Sequence, residues 1–222
     1  MTTLHVLRWR LDLTRVTQDV DLGVTPLVAQ STDLTDELKR LGYMRSGGNR
    51  FEKPVDEIPA ADGERRAVVD VLVPATRSRA RHNRKFGEHL VTTEVPGLAA
   101  AFRRQPVNVH LAVTLLNGSK LSFPVCLPDE VAALTLRIMA RTVRREDRDA
   151  FDVWRALEIC ASAGILDIDF GPDEEPVRQV LNTQFRRDSE AIRQIGRMQN
   201  LPGIEVTRLE TRIQALIKQM LR

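Results

Sequence analysis

The chain has 222 residues, of which 42% are hydrophobic and 28% charged, and its formal net charge at pH 7 is +3. This is the composition of an ordinary globular protein with a sizeable core, and it excludes disordered and fibrous chains. No apolar run reaches the roughly 20 residues of a membrane span, no secretory signal pattern opens the chain, and the two cysteines have no metal-ligand spacing. We therefore expect a cytoplasmic protein without a membrane partner.

Two aspartates stand one residue apart near the N-terminus, after a helix that apolar spacing predicts over residues 4–13. In an extended strand Asp19 and Asp21 project from one face, because side chains alternate between faces. Adjacent carboxylates repel each other, and a divalent cation with a preference for oxygen ligands, Mg2+ or Mn2+, would neutralise them. The alternative is a solvated strand edge with two exposed acids.

A second acid interrupts an apolar run further along. A helix is predicted from Asp33 to Gly42, a turn at residues 46–49, a short strand at residues 50–52 and a loop at residues 54–63. Residues 67–74 then predict a buried strand with Asp70 at its centre. A lone carboxylate among apolar residues needs a partner. Asp70 either completes a three-carboxylate cluster with Asp19 and Asp21 or pairs with a structural arginine.

Positive residues are clustered although the net charge is small. Clustered arginines can hold phosphates by bidentate hydrogen bonds, whereas a solvated polar face is the alternative for any run of charges. The first cluster comprises Arg77, Arg79, Arg81, Arg84 and Lys85, and the second comprises Arg137, Arg141, Arg144, Arg145 and Arg148.

The later part of the chain changes from strand to helix spacing. Residues 107–115 and 120–125 predict a hairpin around a two-residue Asn117-Gly118 turn. Beyond Pro128 the apolar residues follow helix spacing, and two further helices are predicted at residues 177–198 and 206–221. The fold class is therefore α+β (α/β): a sheet domain over residues 1–127 with a mixed sheet and flanking helices, then a helical bundle over residues 128–222.

The order of three segments resembles the AbiEii/MenT family of minimal nucleotidyltransferases, which belongs to the DNA polymerase β-like superfamily. The segments are RVTQDVDL (residues 15–22), VDVLVP (69–74) and LTLRIMARTVRREDRDAFDVW (134–154). The family includes toxins of bacterial toxin–antitoxin and abortive-infection systems. The resemblance implies a nucleotidyltransferase-like sheet and Mg2+-dependent (or Mn2+-dependent) transfer of a nucleotide from an NTP to an acceptor. Some relatives imply transfer RNA as that acceptor, and a protein hydroxyl is another possibility. The toxin role would imply a cognate antitoxin.

The resemblance also implies roles for individual residues. Asp19 and Asp21 would hold the metal ions, and Asp70, at the third acid, would bind the catalytic metal and help deprotonate the attacking hydroxyl. Arg137 stands where the family has a phosphate-binding lysine, and it keeps the charge but cannot exchange a proton as lysine does.

Arg141 lies one turn beyond Arg137, so both are expected to meet one triphosphate. Asp149 and Asp152 would orient those arginines or a base. For all four residues the alternative is a helix-surface salt bridge.

One family feature is missing. The superfamily places a Gly-Gly or Gly-Ser turn ahead of the helix that precedes the acidic strand, where backbone N–H groups hold the triphosphate. At that place this sequence has Thr2 and Thr3. Either the true start lies upstream, or these threonines substitute poorly, or part of the nucleotide site is lost. The second hypothesis is therefore a catalytically impaired protein of this fold that binds nucleotide, RNA or a partner protein.

Overall fold

The computed structural model describes residues 1–13, 19–55, 66–75, 83–115 and 118–222. Two compact units share the chain. A helical unit comprises Met1–Arg15, Arg103–Gln105 and Pro128–Arg222, and a sheet unit comprises Val16–Phe102 and Pro106–Leu127. Mixed sheet and helix content confirms the predicted α+β class. The predicted boundary after residue 127 lies at a unit boundary, but the first helix groups with the helical unit rather than with the sheet.

Helices and strands alternate irregularly along the chain. The helices are α1 (Thr2–Arg8), α2 (Pro26–Gln30), α3 (Asp33–Arg40), α4 (Leu98–Arg103), α5 (Glu130–Ala140), α6 (Asp147–Ser162), α7 (Glu174–Gln184), α8 (Glu190–Met198) and α9 (Gly203–Met220), with a 3₁₀ turn at Gly171–Asp173. The strands are β1 (Asp19–Gly23), β2 (Met44–Gly47), β3 (Arg50–Pro54), β4 (Arg66–Pro74), β5 (Arg84–Phe86), β6 (Leu90–Val95), β7 (Val107–Thr114) and β8 (Lys120–Leu127).

Strand β4 is the centre of the main sheet. Parallel β1 lies on one side of it, while antiparallel β3 and then parallel β6 lie on the other; β2 and β5 are outermost. Val71 and Val73 of β4 are fully buried because the face of the sheet from which they project is covered by other apolar side chains. They pack with Val24, Ala29, Leu38, Phe51, Phe86 and Leu90.

The helical unit has a larger core of its own. Helices α5 to α9 contribute its apolar side chains, among them Leu134, Val153, Leu157, Ile195 and Ile213. Side chains fix where two of these helices begin. The Asp129 carboxylate accepts from the Ala132 N–H at 2.8 Å, and Glu146 with Asp149 forms a capping box at the start of α6.

Strands β7 and β8 form a two-stranded sheet. Their register pairs apolar residues with each other on one face: Val107 with Leu127, Val109 with Val125, Leu111 with Phe123 and Val113 with Leu121. Burial decreases along this face from Leu127 at the base to exposed Val113, Leu121 and Phe123 near the tip. The predicted hairpin is confirmed by this pairing, and the Ser119 carbonyl accepts from the Leu115 N–H; Asn117 of the predicted turn lies outside the described residues.

Two helix predictions differ from the structure because residues with positive φ end helices early. The predicted helix over 4–13 ends at Arg8, since Arg10 has φ 54°. The single helix predicted over 177–198 is two helices, since Asp188 has φ 54° and Ser189 is the N-cap of α8. In the part of the chain that the structure describes, no helix has both the length and the apolar character to cross a membrane.

Candidate functional site

Three charged residues form a row across the main sheet. In the parallel β1–β4 pair Asp21 lies opposite Asp70, and in the antiparallel β3–β4 pair Arg50 lies opposite Asp70. Paired residues on neighbouring strands share a face of the sheet, about 5 Å apart. The row is therefore Arg50, Asp70, Asp21, with Asp70 in the middle.

Arg50 holds the Asp70 carboxylate with two parallel hydrogen bonds. Its Nε donates to Asp70 Oδ1 at 3.1 Å and its Nη2 donates to Oδ2 at 2.8 Å. The Asp70 side chain is 13% exposed, whereas that of Arg50 is 46% exposed. This two-bond geometry is the strong form of an arginine–carboxylate contact. Of the two partners expected for Asp70, the structure thus shows an arginine.

The two acids of β1 differ in what the structure describes. Asp21 is exposed at its position opposite Asp70. The Asp19 backbone pairs with Val68, but the Asp19 side chain lies outside the described set. Among the side chains that are described, no three His, Cys, Asp or Glu residues form a possible metal site.

The donor chemistry nevertheless fits a hard divalent cation. Carboxylates on adjacent paired strands, Asp21 and Asp70, offer the oxygen ligands that Mg2+ and Mn2+ prefer. Because both Asp70 oxygens accept hydrogen bonds from Arg50, a cation that binds both oxygens must displace the Arg50 guanidinium.

The residues predicted to bind phosphate on the helical side form a network within the helical unit. Arg137 Nε donates to Thr2 Oγ1 at 2.8 Å, and its Nη1 lies 3.6 Å from Asp152 Oδ2. Arg155 Nη1 donates to Asp152 Oδ1 at 2.9 Å and its Nη2 to Thr3 Oγ1 at 3.2 Å. The threonine hydroxyls therefore accept from guanidinium groups and join α1 to α5 and α6.

Arg141 is buried rather than displayed on the face of α5. Its guanidinium donates to Gln184 Oε1 at 3.0 Å, to Gln194 Oε1 at 3.1 Å and to the Glu146 carbonyl at 3.2 Å. It also lies over the Phe185 ring. Burial lowers the pKa of Arg141 from its usual value. The expectation that Arg137 and Arg141 meet one triphosphate does not agree with this position, because a phosphate would have to replace three internal acceptors.

Asp149 has a local structural role. Its Oδ1 accepts from Arg144 Nε at 2.9 Å, and its Oδ2 accepts from the Glu146 N–H at 3.3 Å in the capping box of α6. For Asp149 and Asp152 these contacts are internal salt bridges, with both carboxylates buried. Asp152 also lies against Arg137, one of the two arginines that it was expected to orient.

The structure describes only part of the first arginine cluster and all of the second. Arg77, Arg79 and Arg81 lie outside the described residues. Arg84 is paired with buried Glu94 at 2.7 Å, and Lys85 is exposed. In the second cluster Arg144 and Arg148 have acidic partners, and Arg145 is exposed.

Two residues of this geometry were missed by sequence reasoning, Arg50 and Arg155. The strand at residues 50–52 was predicted, and Arg50 opens it, but its register against β4 is not visible in the sequence. Arg155 follows Asp152 at i+3, a helix-pair spacing that does indicate a contact.

Comparison of the chain with protein-family models, with curated proteins and with solved structures found no match.

Proposed function

We propose that the protein is a Mg2+-dependent or Mn2+-dependent nucleotidyltransferase that transfers a nucleotide from an NTP to an RNA hydroxyl, with transfer RNA as the acceptor that the resemblance implies. The observation that carries the proposal is the parallel register that sets Asp21 opposite Asp70, with Asp19 two residues earlier on β1. The role of toxin, controlled by a cognate antitoxin, belongs to the same proposal and rests on the sequence resemblance.

The reaction assigns a task to each acid. The acceptor hydroxyl oxygen forms a bond to the α-phosphorus, the bond from that phosphorus to the bridging oxygen of the β-phosphate breaks, and pyrophosphate leaves with the electron pair. Asp19 and Asp21 would hold the cation that neutralises the triphosphate charge, the chemistry that a bound divalent ion supplies. Asp70 would accept the hydroxyl proton or direct it to solvent.

On the helical side Arg137 is retained in the proposal and Arg141 is not. The Arg137 side chain is 19% exposed, and its hydrogen-bond partner Thr2 is a neutral hydroxyl that an anionic phosphate can replace. Arg141 is fully enclosed by amide and carbonyl acceptors. The assignment of Arg137 to a phosphate rests on the resemblance together with this partial exposure.

The proposal is tested by label transfer. The full chain is incubated with each of four α-labelled NTPs, Mg2+ or Mn2+ and total transfer RNA, and we expect labelled RNA with at least one nucleotide. Asp21→Asn and Asp70→Asn remove a ligand charge and should each reduce the transfer at least about 100-fold.

The matched control is Glu52→Gln, which removes an acid of the same sheet that lies outside the row and pairs with Arg66. It should leave transfer unchanged. Absence of label in RNA and in protein with all four nucleotides, together with no binding of any nucleotide in the presence of Mg2+, would overturn the proposal.

A second candidate is a nucleotidyltransferase-fold protein that binds nucleotide, RNA or a partner protein without transfer. The observation that favours it is that Asp70 already has a bidentate arginine and that Thr2 and Thr3 are engaged by Arg137 and Arg155. Nucleotide binding without any label transfer, in both wild type and Asp21→Asn, would support this second candidate.

A further inference from the structure

Arg50 is the one cationic side chain in the charged row, and it lies next to the central acid, Asp70. Its strand β3 is antiparallel to β4, so residues directly opposite share a face and come within side-chain contact. Asp70 has Arg50 on one side and Asp21 on the other. The Asp70 carboxylate can therefore be bound from either side, by Arg50 or by a cation next to Asp21.

The contact uses both oxygens of Asp70. Two N–H groups of the guanidinium donate to Oδ1 and Oδ2 at 3.1 and 2.8 Å. A divalent cation binds the same lone pairs, because carboxylate oxygens are its ligands. The guanidinium and the cation at these two oxygens exclude each other.

A cation can replace the Arg50 guanidinium at Asp70 at a small cost in free energy because the Arg50 side chain is about half exposed. A guanidinium that keeps about half of its side-chain surface in water loses little hydration in the pair, and water can hydrate it again when it leaves the carboxylate. The same exchange at Asp152 would require moving Arg155, whose side chain is 1% exposed.

We infer that Arg50 is a positioning residue that competes with the divalent cation for Asp70: it neutralises the acid when no metal is bound and yields the carboxylate when metal binds. Arg50 thereby lowers the metal affinity of the site and keeps Asp70 charge-balanced before substrate arrives. The inference rests on the proposed metal site and adds to it a residue that sets how tightly metal is held.

The test measures Mn2+ affinity of the full chain by titration calorimetry and by the electron paramagnetic resonance signal of free Mn2+, without any activity assay. Arg50→Met removes the competing cation and should bind Mn2+ about fivefold more tightly than wild type, a difference of about 1 kcal/mol in binding free energy. Arg50→Lys keeps a charge but cannot form two parallel N–H bonds, so its affinity should lie between the two.

Arg66→Met is the matched control. Arg66 also joins β4 to β3, contacts Glu52 at 3.0 Å and is 47% exposed, yet it lies outside the row. Its Mn2+ affinity should equal that of wild type. A thermal melt gives a second measure: without metal Arg50→Met should unfold at a lower temperature than wild type, and saturating Mn2+ should raise its midpoint by more than it raises the wild-type midpoint.

The outcomes separate the two proposals. If wild type and Arg50→Met bind Mn2+ equally, or the variant binds more weakly, while Asp70→Asn removes binding, the competition is overturned and the metal site stands. If neither wild type, Arg50→Met nor Arg50→Lys binds Mn2+, the metal site itself is overturned, and the proposed metal-dependent transfer with it.

Discussion

Arginine–aspartate pairs occur in both units, but the two pairs differ in how far the arginine is exposed to solvent. In the sheet unit Arg50 holds Asp70 with two hydrogen bonds while nearly half of its side chain stays in solvent. In the helical unit Arg155 and Asp152 form a buried pair whose side chains are 1% and 3% exposed, and Arg155 also donates to Thr3. The first arrangement can be rearranged by a ligand, whereas the second is part of what holds the helices together.

Bond geometry alone does not identify a functional ion pair. Bond lengths at the two places are similar, near 3 Å. The free energy needed to separate the two charges differs, because water cannot hydrate a buried charge that loses its partner. Exposure of the arginine, rather than its distance to the acid, decides which pair is open to a ligand.

The largest expected effect comes from Asp152→Ala. It removes the carboxylate that the buried Arg155 guanidinium contacts at 2.9 Å, and we expect a loss of about 3–5 kcal/mol in the free energy of unfolding. Urea denaturation measures it. Asp36→Ala, which breaks an exposed pair with Lys39 on α3, is the control and should cost under about 1 kcal/mol. Equal losses in the two variants would mean that the buried network is not structural.

Arg141→Met should have the next largest effect. It removes the donor for Gln184, Gln194 and the Glu146 carbonyl, and about 2–3 kcal/mol of unfolding free energy should be lost. Arg145→Met, at an exposed neighbouring position, should change stability by less than about 0.5 kcal/mol. A variant of Arg141 that is fully stable but loses nucleotide affinity would instead place Arg141 in the nucleotide site.

A smaller, pH-dependent effect is expected at His5, which is fully buried in α1. Burial lowers its pKa below the ordinary 6.5, although Glu130 opposes this shift and Arg8 adds to it. In the window below 6.5 the unfolded chain binds the proton and the folded chain does not, so stability falls as pH falls through that window. The fall can reach at most about 1.4 kcal/mol per pH unit for one group.

Urea denaturation at pH 7.5 and 5.5 measures that fall. His5→Gln, which keeps a donor for the Pro128 carbonyl, should show a smaller decline than wild type. The exposed His110 on β7 supplies the control, since His110→Gln should decline as wild type does. Identical declines in all three proteins would rule out His5 as the source.

The smallest effect is expected for Arg66→Met, which breaks the half-exposed pair with Glu52 in the sheet unit. We expect a change of about 0–1 kcal/mol in unfolding free energy. This variant bounds what a solvent-exposed arginine contributes in the same sheet as Arg50. A loss above about 2 kcal/mol would show that half-exposed pairs here are structural too, and the contrast between the units would disappear.

Elements with a strong local signal were predicted well. The apolar run of β4 is unusual enough to identify a buried strand, and the glycines at positions 47 and 48 mark the turn before β3, where Gly48 has φ 49°. The helix that begins at Asp33 was also predicted, together with its end near Gly42, whose φ is 86°. In each case the residues that determine the element are close together in the chain.

The candidate site was predicted less completely because its contacts join distant parts of the chain. Arg50 and Asp70 are 20 residues apart and meet only through the register of β3 against β4. Arg141 is enclosed by Gln184 and Gln194, 43 and 53 residues further along. Helix spacing predicts Arg137 and Arg141 on one helix face, but Arg141 is the C-cap residue just beyond α5. Its enclosure depends on contacts with Gln184 of α7 and Gln194 of α8, which no local sequence pattern reports.

The graded apolar face of the β7–β8 hairpin has a practical consequence for handling the protein. Val113, Leu121 and Phe123 are exposed, and no other strand in the described ranges pairs with β7 or β8. Exposed apolar side chains beside open strand edges are the usual starting point of edge-to-edge aggregation. Lys120, at the end of β8, is the only lysine or arginine in the two strands, and they contain no acid. We therefore expect this hairpin to promote association in concentrated solutions, and a charge added near its tip to reduce that association.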